Sequence, residues 1–245
     1  MKLKYKVLAE CEKAKQASIK IAAARTKKKD EALKMIAAAL LKNKKKIIQA
    51  NKKDAKSAKG KISNALYKRL LVDDQKIKDM VAMVKSVIKL EDPVGKLQQV
   101  TELDKGLNLY KVSAPIGVIG TIFESRPDVV VQISSLAIKS GNAVLLKGGS
   151  EAANTNRALV SVIREAIKKA VPLDTVQLLE TREEVKEMLA MDGFIDLVIP
   201  RGSNKFVKYV MDNTKIPVVG DRDGICHVYI GKDADLAKAV KVAVH

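Results

Sequence analysis

Four short polar stretches hold the residues of this chain whose types and spacing could do chemistry. Glu124-Ser125-Arg126-Pro127-Asp128 follows an apolar run from Pro115 to Phe123. Lys147-Gly148-Gly149-Ser150-Glu151 follows a second run, Ala143 to Leu146. Arg201-Gly202-Ser203 follows a third, Ile195 to Ile199, after Pro200. Cys226-His227 lies inside a fourth, Ile225 to Ile230. Glycines between a strand and a helix let the backbone approach a ligand closely. A helix N-terminus beside Lys147 favours an anion such as a ribose phosphate. A Gly-Gly turn at a strand end is as readily structural. The repeat of a basic Gly-Ser turn at Arg201-Gly202-Ser203 is what points toward a nucleotide. Arg126 can grip a carboxylate or phosphate with its bidentate fork, or pair with Glu124 or Asp128. Neighbours in a strand face opposite ways, so Cys226 and His227 cannot act as nucleophile and base through adjacency. Cys226 reads instead as a small buried apolar residue and a poor candidate for a catalytic thiolate. Cys11, on a helix face with alanines, reads as core. Two cysteines and two histidines at these spacings make no metal site. Neither G-x-G-x-x-G nor a Walker A loop occurs.

The elements that must position these stretches follow from pattern. The apolar runs do not alternate in polarity and are separated by helix-length amphipathic segments, which predicts a parallel sheet buried on both faces. In such sheets ligands sit outside the carboxyl ends of the strands. Helices are expected over Val129–Lys139 and Ala152–Ala170. Another opens at Thr181 with a capping box to Glu184, one leads up to Met211, and one starts at Asp233. Further strands are expected at Val176–Leu179, Ile216–Val219 and Ile225–Ile230. Strand and helix alternate from 115 to 220, which is a doubly wound α/β arrangement with right-handed crossovers. Upstream, apolar spacing gives long amphipathic helices over 3–25 and 29–50, a helix end and loop over 51–61, and a short helix over 62–71. Another helix, capped by Asp73-Asp74, runs to about Leu90. Val100–Leu103 and Leu107–Val112 flank Asp104-Lys105-Gly106, a hairpin signal, and a lone hairpin needs something to pack against.

Composition narrows the function. The 245 residues carry a net charge of +18, yet residues 1–61 hold 20 Lys or Arg against 5 Asp or Glu. The excess is therefore an N-terminal helical surface rather than a property of the whole chain. It is almost all lysine, a poor set for reading bases, and aromatic residues are too few to form a stacking platform. The reading is a solvated lysine-rich face and no nucleic-acid partner. No apolar run reaches the length of a membrane span, the N-terminus lacks a signal-peptide core, and two distant cysteines fit a reducing, cytoplasmic setting.

Taken together, several blocks resemble gamma-glutamyl phosphate reductase, also called glutamate-5-semialdehyde dehydrogenase, of the aldehyde dehydrogenase superfamily. They are Ile116 to Gly120 with Phe123 to Asp128, Lys139 to Asn142, Leu146 to Glu151, Asn156-Arg157, Ile195 to Gly202 and Gly224 to Tyr229. The resemblance implies an α/β fold, an aldehyde-dehydrogenase-like variant Rossmann domain with N-terminal helices and an oligomerisation hairpin. On that pattern, 1–99 is a helical region packing on the cofactor domain and 100–112 is the arm that joins subunits. Residues 113–222 form the NADP-binding domain, and 223–245 begin a catalytic domain. It implies NADPH-dependent reduction of gamma-glutamyl phosphate to glutamate-5-semialdehyde in proline biosynthesis, through attack of a cysteine thiolate and hydride reduction of the thioester. Lys147, Gly148, Gly149, Ser150 and Glu151 match the adenine-ribose end of the cofactor site. Arg201, Gly202 and Ser203 match the turn near the pyrophosphate, and Ser125 and Arg126 match the loop facing substrate. The family's nucleophile lies in a later motif, Arg-Pro-x-x-Cys-Asn, so the resemblance implies a chain truncated before that cysteine and inactive alone. The alternative is a non-catalytic homologue that binds nucleotide or pairs with a full-length reductase.

Overall fold

The computed structural model describes residues 2–220 and 227–244. Five helices come first: α1 Lys2–Ala22, α2 Thr26–Lys42, α3 Lys44–Ala58, α4 Asn64–Leu70 and α5 Asp74–Lys89. The helix expected over 29–50 is broken at Asn43. Its side-chain amide donates to Ala39 O at 2.8 Å, and its backbone leaves the helical region (φ −100°, ψ 13°). Such local bonds compete with the helix ladder. The stretch expected as a loop, 51–61, is helical to Ala58, because its polar residues Asn51 and Asp54 turn inward and are each 3% exposed. Asn51 donates to Leu70 O at 2.8 Å and accepts from Val72 N–H at 2.8 Å, so a buried polar network replaces apolar periodicity there. Asp73 caps α5 by accepting from Lys76 N–H at 2.7 Å.

The hairpin comprises β1 Leu97–Asp104 and β2 Leu107–Val112, paired antiparallel. Every residue of β2 and all of β1 except Thr101 are exposed. Next come β3 Val118–Ile122, α6 Asp128–Lys139, β4 Ala143–Lys147, a short 3-10 turn, α7 Ala153–Ile167, β5 Val176–Leu179, α8 Arg182–Leu189, β6 Leu197–Pro200 and α9 Asn204–Asp212. The four strands form one parallel sheet in the order β5-β4-β3-β6. The chain steps outward from β3 to β5 and then returns to the other side of β3, so the strand order reverses between β3 and β6. Ile216–Val219 does not extend the sheet as a fifth strand. It makes one bridge, Val218 to Val198, beside Pro217, which lacks an N–H to donate. The strand expected over 225–230 is absent from its described part, 227–230, while 225 and 226 lie outside the described residues. The last helix, α10, spans Leu236–Val244 and has no buried residue.

Both sheet faces are covered, which is why its strands do not alternate in polarity. Val144 and Leu146 of β4 enter one core with α2, α5, α6 and α7, whereas Ala143 and Leu145 enter another with α1 and α8. Two lysines are buried rather than solvated. Lys29 pairs with Asp92 at 2.9 Å, and Lys139 pairs with Asp30 at 2.7 Å while also donating to Ile88 O. No helix among the described residues is long and apolar enough to cross a membrane.

Candidate functional site

The reversal of strand order between β3 and β6 opens a crevice at their carboxyl ends, the place where open α/β sheets bind ligands. The strand ends are tied together by backbone bonds. Phe123 N–H donates to Lys147 O at 2.9 Å, and Arg201 N–H donates to Ile122 O at 2.7 Å. Above them lies a cleft of about 550 Å³. Its floor is apolar, with Ile122, Phe123 and Val185, and its rim carries Lys147, Arg182, Lys186 and Arg201 against Glu124 and Glu151.

Most of the residues singled out from sequence meet in this cleft. Ser125, Lys147, Gly149, Ser150, Glu151 and Arg201 line it. Gly148 lies beneath, where an added Cβ would sit 2.2 Å from Asn156 Nδ2 and 3.0 Å from the Phe123 ring. Asn156 is 2% exposed and its Oδ1 has no partner in the protein. Gly202 faces the cleft residues Glu124 and Phe206, and Ser203 caps α9 by accepting from Phe206 N–H at 3.3 Å. Arg126 is not on the cleft. It lines a separate groove with Lys76, Met80 and Asp128, and bonds Asp128 Oδ2 at 3.3 Å, the local pairing left open by the sequence. Cys226 lies outside the described residues. Cys11 is fully buried in the core beside α1 and α8, and burial pushes its thiol up to about 12.

The helix end beside Gly149 differs from its expected role. Asp54 of α3 already occupies the N-terminus of α7. Its carboxylate accepts from Asn154 N–H at 3.2 Å, Asn154 Nδ2 at 2.7 Å, Thr155 N–H at 2.7 Å and Thr155 Oγ1 at 2.6 Å. A carboxylate so placed satisfies the amides and neutralises the helix dipole. A ligand anion in the cleft must therefore be met by side chains and by the α9 end. Arg182 and Lys186 were not singled out from sequence. They stand four residues apart on α8, hence on one face, and the first directly follows the N-cap Thr181. A cation pair one turn apart at the start of the helix after β5 was the available signal. Ile62 and Leu66 also reach the rim, so the N-terminal helices contribute to the site.

Electrostatics set the protonation of the rim. Burial lowers the Lys147 pKa, and the neighbouring Glu151 charge opposes this. Burial would raise the Glu151 carboxyl, but bonds from Ser125 Oγ and N–H, together with Lys147, outweigh it and hold the group below its ordinary 4.5. Glu184, the capping-box residue, behaves likewise. Burial raises it, but Lys6 at 2.5 Å with the Thr181 and Glu180 amides outweighs this and lowers it. A carboxyl depressed in the folded state stabilises above its unfolded pKa, and that contribution vanishes as pH falls through the depressed value. Thermal melts should therefore show stability holding above about pH 5 and falling below about pH 4. E151Q and E184Q should each flatten the fall, and variants that keep the wild-type acid profile would contradict this assignment.

Comparison with known proteins adds a family to this geometry. The model of the aldehyde dehydrogenase family matches residues 4–245. A gamma-glutamyl phosphate reductase of Acetivibrio thermocellus is 55% identical over 94% of this chain and 54% of its own length. One from Pelotomaculum thermopropionicum is 56% identical over the same shares. The chain thus spans about half the length of the curated relatives it matches. The crystal structure of the Thermotoga maritima gamma-glutamyl phosphate reductase superposes with a TM-score of 0.90 at 39% identity, covering 97% of this chain and 58% of that one.

Proposed function

This chain belongs to the aldehyde dehydrogenase family, and from that membership we propose that it serves NADPH-dependent reduction of gamma-glutamyl phosphate to glutamate-5-semialdehyde, a step toward proline. The observation that carries the reading is the convergence of Ser125, Lys147 and Arg201 on one cleft at the point of strand reversal. It occurs in a chain 55% identical to a gamma-glutamyl phosphate reductase. The residues present fit a phosphorylated dinucleotide. The floor is apolar and four cations stand on the rim, while the space beside Gly148 and Gly149 is taken by Asn156 and Glu151. Lys147 and Arg201, with the Ser203-capped end of α9, hold the diphosphate. Ser150 and the glycines bound the ribose. Ser125 faces the substrate. When bound, the reduced nicotinamide supplies hydride.

The preference for NADPH over NADH rests on Arg182 and Lys186. A cationic side chain near the ribose accommodates the 2′-phosphate. Titration by nucleotide fluorescence should show that R182A/K186A loses about tenfold in NADPH affinity, near 1.4 kcal/mol, while NADH affinity changes little. Equal losses for both nucleotides would remove these residues from 2′-phosphate recognition.

The hairpin is the proposed contact between copies of the chain. Leu103, Leu107 and Leu109 are each more than half exposed, and a paired two-strand arm with so much apolar surface gains by burial. Light scattering should find Leu103→Lys shifted toward monomer. An unchanged mass would place the contact elsewhere.

A further inference from the structure

We propose that Glu151 is a positioning residue: it holds Ser125 in the left-handed region and so fixes the loop after β3 against the loop after β4. Among the described residues Ser125 is the one non-glycine with positive φ, 26°. A side chain disfavours that region, and it persists only where the surroundings impose it. Ser125 is 1% exposed, so water does not impose it. Glu151 does. Its Oε1 accepts the Ser125 N–H at 2.7 Å and also the Ser125 hydroxyl. Both donors of the strained residue thus end on one oxygen of a loop 26 residues away.

The neighbouring chain is shaped for this reach. A Cβ on Gly149 would lie 2.0 Å from Glu151 Oε1, 2.4 Å from its Cδ and 2.5 Å from its Oε2. Only glycine lets the carboxylate curl back over its own loop. Lys147 faces the same carboxylate and helps keep it ionised. The consequence reassigns a residue grouped with the cofactor site by sequence. Oε1 is committed to Ser125 and is not free to meet a ribose hydroxyl. Held there, the carboxylate is hydrogen-bonded by Ser125 and faces Lys147.

The test rests on the proposed NADPH site for one arm only. In the first arm NADPH fluorescence gives Kd for wild type, E151Q, E151A, S125G and S125G/E151A. E151A should bind about tenfold more weakly. S125G is the baseline for the double variant, because glycine enters positive φ freely. The double variant should bind within about threefold of S125G, since glycine removes the need for the carboxylate. E151Q keeps an acceptor and should stay near wild type. A double variant as far below S125G as E151A is below wild type would mean that Glu151 touches the cofactor directly, and an unchanged E151A would mean that the contact positions nothing; either overturns the proposal. The second arm follows amide exchange at Val129 and Val130, whose N–H groups bond Arg126 O and Pro127 O. Exchange there should quicken in E151A and slow again in the double variant. If wild type binds no NADPH, the proposed function fails while this arm still decides the positioning role: uniform exchange across the series overturns it.

Discussion

Replacing Lys147 by methionine is expected to weaken NADPH binding about 30-fold, roughly 2 kcal/mol, the size of a charge-assisted hydrogen bond withdrawn from a half-dry site. Lys147 is the last residue of β4 and 9% exposed. Its stem lies against the sheet and its ammonium reaches the cleft, so burial lowers its pKa. The same desolvation strengthens any phosphate it meets. Methionine keeps the stem and removes only the charge, which separates packing from electrostatics. A fluorescence titration decides the matter. Wild-type affinity in K147M would put the phosphates out of reach of β4, and the remaining cations, Arg182, Lys186 and Arg201, would have to hold them alone.

Asp54→Ala should cost about 3 kcal/mol of unfolding free energy, above the roughly 2 kcal/mol of the costliest lost caps, because four donors lose their acceptor at once. Asp54 is 3% exposed, and both of its oxygens are used by Asn154 and Thr155. Those residues open α7, the helix that follows the Lys147–Glu151 loop. Urea unfolding reads the loss directly. Asp54→Asn retains an acceptor and should cost less. A change below about 1 kcal/mol in the alanine variant would mean that water replaces the carboxylate at little cost, and that α3 is not needed to seat α7.

The division between what sequence shows and what it hides follows the range of the interactions. β3, β4, β5 and β6 read directly because each is a short apolar run ending in a polar turn, and both faces are buried. The capping box of Thr181 and Glu184 is local, three residues apart, and appears as expected, with Glu184 N–H donating to Thr181 Oγ1 at 3.1 Å. Long-range polar contacts leave no such mark. Nothing near Asp54 in sequence announces that it will cap a helix 100 residues later, so its helix reads as a lysine-rich loop. The break at Asn43 is likewise hidden, since a single side chain bonding back to Ala39 interrupts an otherwise continuous periodicity. Ile216–Val219 has strand composition, but it meets only Val198 at the sheet edge. At the site itself, the glycine-flanked cations were legible from type and position. Arg182 and Lys186 were not, because exposed cations on a helix are ordinary until the fold turns them toward a cleft. Arg126 shows the reverse, with a suggestive position whose side chain is taken by Asp128.

On the proposed function, one cleft, at the carboxyl ends of β3, β4 and β6, takes the cofactor. Hydrogen exchange of the chain with and without NADPH, resolved by peptide, tests it most directly. Slowed exchange is expected in four separate segments, 122–125, 147–152, 182–186 and 201–206, with 76–83, across the separate groove that Arg126 lines, unchanged. Protection confined to other segments, or none at saturating NADPH, would contradict it.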